Sequence, residues 1–341
     1  MASNRSTTTK HMGKGEMPPP TQVYLYNEME DTSYRVSSVD TTWRKPEHEN
    51  LRKDFSKHMV YAASQLPKKV DLRRFMPSVE DQSEAASSTG NAMAAIYEYL
   101  NCRVTGRLVH FSPLFIYYNS RVKDNQGDKN IVDDGATITS TIETMARNGV
   151  CPKEAWPYDF TKVNTHPRID CVAVGTAHKI SEAFELHINV NEMKCCLAQG
   201  LPSLVSLNLY ESFGKAGSHG IVPMPTSNEI GSSKNAPHAV VLVGYSDRSK
   251  AFIVRNSWGS DWGDDGYCYI PYDYIGNDKL CTAAWTIKKA GIANTYQDAW
   301  QNKDDVNYLD GGNEDDEDDE DEFEFDYRQE KEQPVNPDPD W

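Results

Sequence analysis

The sequence predicts an α+β chain folded as two lobes, helices in the first and antiparallel β-structure in the second. Before about residue 170, apolar residues recur at helical spacing in segments rich in helix-forming residues. After that point come short segments rich in β-branched and aromatic residues, each bounded by turn residues. Helices first and strands second, with no internal repeat, is the order expected of an α+β fold rather than of βαβ units.

The elements follow in order. Residues 1–22 are polar, include a Met-Pro-Pro-Pro run, and are expected to be disordered. An N-terminal extension, 23–65, carries aromatic anchors at Tyr24, Tyr26, Tyr34, Trp43 and Phe55, suited to wrapping over a folded body or to a pro-segment-like position. The main domain spans 66–290, with a helical lobe at about 66–168 and a β-barrel lobe at about 169–290. Residues 66–75 enter it as a short strand. Helices are expected at 91–100, 111–118 and 137–147, the last stopped by Asn148-Gly149 with Pro152 behind it. In the second lobe a short helix at 191–199 precedes strands at 203–209, 239–245, 251–255, 266–271 and 281–287. A linker, 291–303, leads to an acidic tail, 304–341, expected to be a solvated chain because nine consecutive acids at 314–322 cannot be buried.

Charge and cysteine usage exclude several classes. The formal net charge is −16, and all of that excess lies in the tail, so the body is balanced and offers no basic nucleic-acid surface. No run of 18 apolar residues exists, which excludes a membrane-spanning helix of the usual length. The first residues lack the apolar core of a secretory signal, so an intracellular, cytoplasmic location is expected, or a virion if the chain is viral. Seven cysteines at Cys102, Cys151, Cys171, Cys195, Cys196, Cys268 and Cys281 show no paired zinc-type spacing and are read as reduced thiols. Neither a metal nor a cofactor is called for.

Three stretches carry chemistry: DQSEAASSTGNA at 81–92, HAVVLVGY at 238–245 and RNSWGSDWGDDGY at 255–267. A histidine opening a strand is weak evidence alone, but here an Asn-Ser-Trp-Gly run follows it and a glutamine before a helix start precedes it. The combination resembles the papain-like cysteine peptidases, in which His opens an HAVxLVGY strand and Asn lies in an NSWG loop. The resemblance covers about residues 66–289. Its nearest branch is the bacterial-type and viral one without a leader, of pattern VDLR…VEDQGxxGSCTANA, DGxSIRD and GVCPExxWPYD. This chain reads VDLRRFMPSVEDQ at 70–82, DGATITST at 134–141 and GVCPKEAWPYD at 149–159. The interval from Ser88 to His238 also fits the roughly 130–150 residues typical of papain-type enzymes.

The resemblance implies a two-lobed papain-like fold with His238 as base, Asn256 orienting its ring, and Gln82 in the oxyanion hole with the Ser88 backbone N–H. It also implies that Trp258 shields the His–Asn bond and that Asp134 and Gly135 form a wall on which a peptide docks. At the nucleophile position the alignment puts Ser88 where the family has Cys, while Ser83 and Ala86 replace glycines. A serine hydroxyl is not ionised by the modest fields that lower a thiol from its usual pKa of about 8.5; its proton must be removed as it attacks. Ala86 carries a Cβ that can obstruct a positive φ or the close approach of a substrate backbone. Ser88 also reads simply as a helix N-cap, and His238, Asn256 and Trp258 as packing. The reading is therefore a peptidase homologue, inactive or weakly active, retaining a cleft for a peptide or protein ligand. The alternatives are a scaffold or virion-type component whose acidic tail recruits a basic protein, and an active Ser–His hydrolase or Cys-to-Ser variant of a cysteine endopeptidase.

Overall fold

Helix α1 (Ser88–Thr105) can run through the middle of the molecule because its sequence begins with small residues on every side. Every residue from Ser88 to Asn101 is buried. Gly90 is required by the neighbouring α2 (Pro113–Asp124): a Cβ on it would lie 2.6 Å from the Pro113 carbonyl oxygen and 2.9 Å from Tyr117 Cβ. Gly106, at φ +69°, then ends α1 in the left-handed conformation that glycine adopts without a Cβ penalty. Helix α2 starts on a Ser112 side chain that accepts the Phe115 N–H, with proline at its first position. Helix α3 (Ile138–Arg147) starts on Thr137, which accepts the Ser140 N–H, and packs on α2 and α1. The computed structural model describes residues 23–27, 30–36, 44–232, 236–291, 296–301 and 303–310. Trp43 and the expected disordered terminus 1–22 lie outside these.

Ahead of α1 come strands β1 (Val23–Asn27), β2 (Thr32–Val36), β3 (Lys53–Asp54) and β4 (Lys69–Asp71). After α3 follow α4 (Ile169–Gly175), β5 (Glu182–Glu185), α5 (Val190–Ala198), β6 (Ser203–Leu209), α6 (Ser227–Gly231) and β7 (Ala236–Ser246). Then come β8 (Ala251–Arg255), β9 (Tyr267–Pro271), α7 (Tyr272–Ile275), β10 (Cys281–Lys288) and β11 (Trp300–Gln301). β1 and β2 form a hairpin of their own. The other strands make one coiled sheet, β11-β4-β7-β6-β10-β5-β3, with β8 on β7 and β9 on β8. All pairs are antiparallel except β3–β5. Among the described strands the hydrogen-bonded path runs from β11 to β3 without a closing pair.

β7 is the pivot. One end pairs with β6, placing His238 opposite Leu207; the other pairs with β4 and β8. Gly244 makes this junction possible, since a Cβ there would collide with the Val70 carbonyl of β4. α1 crosses β7 and β6, which brings the first turn of the helix to the first residues of β7.

The boundary placed at residue 304 needs correction. Asp304 accepts from Ser246 Oγ at 2.8 Å and from the Arg248 N–H at 2.7 Å, and Tyr308 stacks on Tyr269 with ring centroids 4.1 Å apart. An acid that caps a turn and a tyrosine between cationic side chains, Lys69 and Arg73, belong to the body. The acidic run itself, 314–322, lies outside the described residues.

Candidate active site

The cleft has one wall from the loop before α1 and another from β7 and the loop after β8. His238 opens the β7 side and is fully buried. Its Nε2 lies 2.9 Å from Asn256 Oδ1, and that oxygen also accepts the Ser257 N–H at 2.8 Å. An oxygen already accepting one N–H is the acceptor here too, so Nε2 carries the ring proton and Nδ1 is the basic nitrogen. Burial pulls the His238 pKa down to about 4, partly offset by Asn256, so the ring is neutral near pH 7. Trp258 covers this pair, its ring 5.0 Å from the imidazole, and itself packs edge-on against Trp262 and Phe213.

The opposite wall is tied to the first by Gln82. Its N–H donates to the Ser257 carbonyl at 2.8 Å, and its Oε1 accepts from Ser257 Oγ at 2.7 Å. An Asp81–Trp258 bridge lies beside it. Beyond Gln82 the loop turns at Ser83, which takes φ +50°. This is the left-handed backbone that a serine holds at a cost of about 1–3 kcal/mol. The backbone requirement for glycine therefore falls on Ser83. Ala86 has no positive φ; its methyl is buried against Tyr117, Ala136 and Val163, and its N–H donates to the Asp133 carboxylate at 3.0 Å.

Ser87, rather than Ser88, occupies the N-cap position, and Ser88 is the first residue of α1. Ser87 Oγ is 2.6 Å from Tyr158 Oη, which donates to the Gln82 carbonyl. Ser88 Oγ accepts the Ala239 N–H at 3.1 Å, while His238 Nδ1 has no hydrogen-bond partner among the described residues. The structure thus brings Gln82, Ser88, His238, Asn256 and Trp258 together. Gly135, at φ +108°, lies on the same wall as Asp133, its N–H bonded to Tyr117 Oη; Asp134 is exposed beside it.

The N-terminal extension, expected to wrap over the body or to hold a pro-segment-like position, reaches this cleft. The β1–β2 hairpin lies in it. Gln82 Nε2 donates to the Arg35 carbonyl at 3.2 Å as well as to Ala85 at 2.9 Å. Tyr34 stacks on Trp258, centroids 4.7 Å apart and planes within 13°. Tyr24 donates to Glu84 at 2.7 Å, and Arg35 Nη2 to the Asp133 carbonyl at 2.9 Å. Gly214 lies under the hairpin: a Cβ on it would collide with the Tyr26 carbonyl. Arg35 is 1% exposed and Ser88 0%. A small void of about 10 Å³ lies beside Asn91, Ala239 and Asn256. The spacing of Tyr24, Tyr26 and Tyr34 was the available signal, but it names anchors without naming their seat. Asp133 and Tyr158 were missed as well; the latter sat in plain view in the WPYD run.

A papain family cysteine protease profile matches residues 66–297. This chain belongs to the papain family. It is 33% identical over 266 residues to the uncharacterized peptidase C1-like protein L477 of Acanthamoeba polyphaga mimivirus, covering 71% of this chain and 83% of that protein. It is 29% identical to human cathepsin L2 over 230 residues, 64% of this chain and 65% of that one. Among solved structures, xylellain, a cysteine protease from Xylella fastidiosa, aligns with a TM-score of 0.59 at 30% identity, covering 74% of this chain and all (100%) of that one. Digestive procathepsin L 3 of Tenebrio molitor larval midgut, at 24% identity, shares the fold with a TM-score of 0.57, over 72% of this chain and 76% of that one.

Metal-type side chains converge at one other place among the described residues, where Asp54, His187 and Glu192 come within 4.8 Å of one another. Their oxygens already serve local caps: Glu192 takes the His187 N–H and Nδ1, and Asp54 takes Ser56. No helix among the described residues is long and apolar enough to cross a membrane.

Proposed function

We propose that this papain-family chain is a peptide-binding homologue that does not cleave at an appreciable rate, with Ser88 standing where the family places its nucleophilic cysteine. The observation that carries this reading is the hydroxyl's own bond. Ser88 Oγ is committed to the Ala239 N–H, and the basic Nδ1 of His238 is not engaged with it. A serine nucleophile needs the reverse arrangement, a base within hydrogen-bond reach of its proton.

The cysteines do not supply a substitute. Cys195 Sγ faces Tyr61 and Gln199, and Cys196 Sγ faces Leu201 and Ser203, both on α5. Burial raises both thiols, Cys196 to about 12, which is the opposite of what a thiolate nucleophile requires. The family gives the substrate class, a peptide or protein, and the cleft is the place for it. The acidic tail as a dock for a basic protein, and an intracellular location, belong to this proposal as well.

The test is incubation of the full chain with a peptide library, reading cleavage by mass spectrometry and retention by pull-down. Retention without new termini supports the proposal. Cleavage that vanishes in Ser88→Ala would overturn it in favour of a Ser–His hydrolase. A chain that neither cuts nor retains any peptide would favour the scaffold reading.

A further inference from the structure

Away from the cleft, two distant pieces of chain assemble a histidine and two carboxylates. The parallel pairing of β3 on β5 sets Asp54 opposite Glu185, at the end of the strand that leads to His187. Asn189 then starts α5 by accepting the Glu192 N–H at 3.1 Å. Both Glu192 oxygens reach back, one accepting the His187 N–H at 3.1 Å and the other lying 2.9 Å from Nδ1. One possible ligand atom from each of Asp54, His187 and Glu192 lies within 4.8 Å of the other two. Asp54, Glu185 and Glu192 all bear electrostatically on the His187 ring. Asp54 stands far from the other two in sequence, so no ligand spacing announces the cluster.

We propose that Asp54, His187 and Glu192 form a zinc site that fastens the N-terminal extension, through β3, to β5 and α5. An imidazole with two carboxylates suits zinc, whereas calcium and magnesium want more oxygens and no nitrogen. Zinc held at about 2.0–2.1 Å keeps the ligand atoms of a tetrahedron about 3.3 Å apart. Nδ1 and Glu192 Oε2 therefore part by a few tenths of an ångström as the ion replaces the proton between them. Asp54 closes by about 1.5 Å at most to reach the same spacing. The local bonds leave room for this. Asp54 Oδ1 serves Ser56, while Oδ2 faces the exposed Lys57 at 3.9 Å, outside hydrogen-bond distance. A carboxylate oxygen that accepts one bond also keeps a second lone pair. Glu192 is buried, Asp54 half-buried and His187 exposed, so the protein closes one side and water completes the shell on the other. The β3–β5 pairing spans only Lys53 and Asp54 on the β3 side, so a metal cross-link adds to a short ladder.

The full-length chain, stripped of metal with a chelator, is titrated with zinc chloride by calorimetry and with cobalt(II) by visible absorption. His187→Ala and Asp54→Asn are measured beside it; the amide oxygen of the second can still accept from Ser56, so the turn is kept. Hydrogen exchange of residues 53–58 is followed with and without zinc. The expected result is one zinc per chain that His187→Ala loses and Asp54→Asn weakens by at least about tenfold. The cobalt spectrum should be of four-coordinate type without a thiolate band. Exchange at 53–58 should slow by about an order of magnitude when free zinc is roughly ten times its dissociation constant. The nine consecutive acids at 314–322 are unchanged in both variants, so zinc taken up equally by wild type and His187→Ala belongs elsewhere and overturns the site. A thiolate-to-cobalt band puts the ion on a cysteine and overturns it as well. Binding that Asp54→Asn leaves unchanged, or exchange at 53–58 that zinc does not slow, overturns the fastening of the extension.

Discussion

The two walls of the cleft differ in how their side chains are held. On the β7 side, His238, Asn256 and Trp258 form a buried unit: neutral ring, oriented tautomer, indole cover. On the α1 side, a serine stands at the helix start, Ser83 holds a left-handed φ, and Ala86 buries a methyl against Tyr117 and Ala136. The difference shows which parts of such a site also serve the fold. The His–Asn–Trp unit joins β7, the loop after β8 and the Trp262–Phe213 cluster, so losing it would open the core. The loop before α1 is tied to the body as well, through Gln82 to Ser257, Ala86 to Tyr117 and Asp133, and Ser88 to Ala239, but by single bonds and one methyl rather than by an aromatic cluster.

If the β7 wall is structural in this sense, Trp258→Ala gives the largest effect. Removing a 5%-exposed indole that contacts His238, Tyr34, Phe213 and Trp262 should cost about 3–5 kcal/mol in urea unfolding. A change under about 1 kcal/mol would break the comparison, since it would place the indole in a tolerant surface.

A pH series sharpens it. The folded His238 pKa, near 4, lies below the 6.5 of an unfolded histidine, so the unfolded state binds the extra proton. Stability from this group is therefore fully present above about pH 6.5, falls as the pH drops, and is lost by about pH 4, a total near 3 kcal/mol. His238→Gln should flatten the wild-type slope of unfolding free energy between those limits. An unchanged slope would mean that the ring is not buried neutral.

These outcomes rest on parts that were unequally legible. Strands 203–209 and 251–255 fall at the expected residues because each is short, β-branched and bounded by turn residues, with no competing helical period. The helix expected at 91–100 extends in both directions, from Ser88 to Thr105. The Ser-Thr-Gly start is poor in intrinsic helix preference, and burial against α2 overrides it. The His–Asn–Trp unit could be read because its spacing is rigid. For the hairpin, a pro-segment-like position was one of two readings, but its contacts could not be named, because the seat is assembled from Gln82, Trp258 and Gly214, which lie far apart in the chain.

Gln82→Ala probes a side chain that spans both walls. It removes the bonds to Ser257, Ala85 and Arg35, leaving buried groups unpaired, and should cost about 1–3 kcal/mol. It should also accelerate hydrogen exchange at residues 32–36. Slow exchange there, despite the substitution, would place the hairpin's hold elsewhere, in the Tyr34–Trp258 stack.

The smallest effect is expected from removing residues 311–341. The bonds of Asp304 and the stack of Tyr308 on Tyr269 stay intact, so unfolding should change by less than about 0.5 kcal/mol. Cutting before Asp304 instead removes both contacts and should lower stability by about 2 kcal/mol. Equal results from the two truncations would contradict the corrected boundary.

The central claim is that the β7 wall still has the geometry to activate a thiol although Ser88 supplies none. Ser88→Cys measures it directly, as alkylation rate by iodoacetamide against pH, in the full chain and with Gly214→Ala to lift the hairpin. In the closed chain the residue is buried and alkylation should be slower than that of free cysteine. In the opened chain, a thiol at a helix start beside the imidazole should titrate below the free value of about 8.5 and react faster than free cysteine at pH 6. A thiol in the opened chain that titrates at about 8.5, as in free solution, would contradict the account.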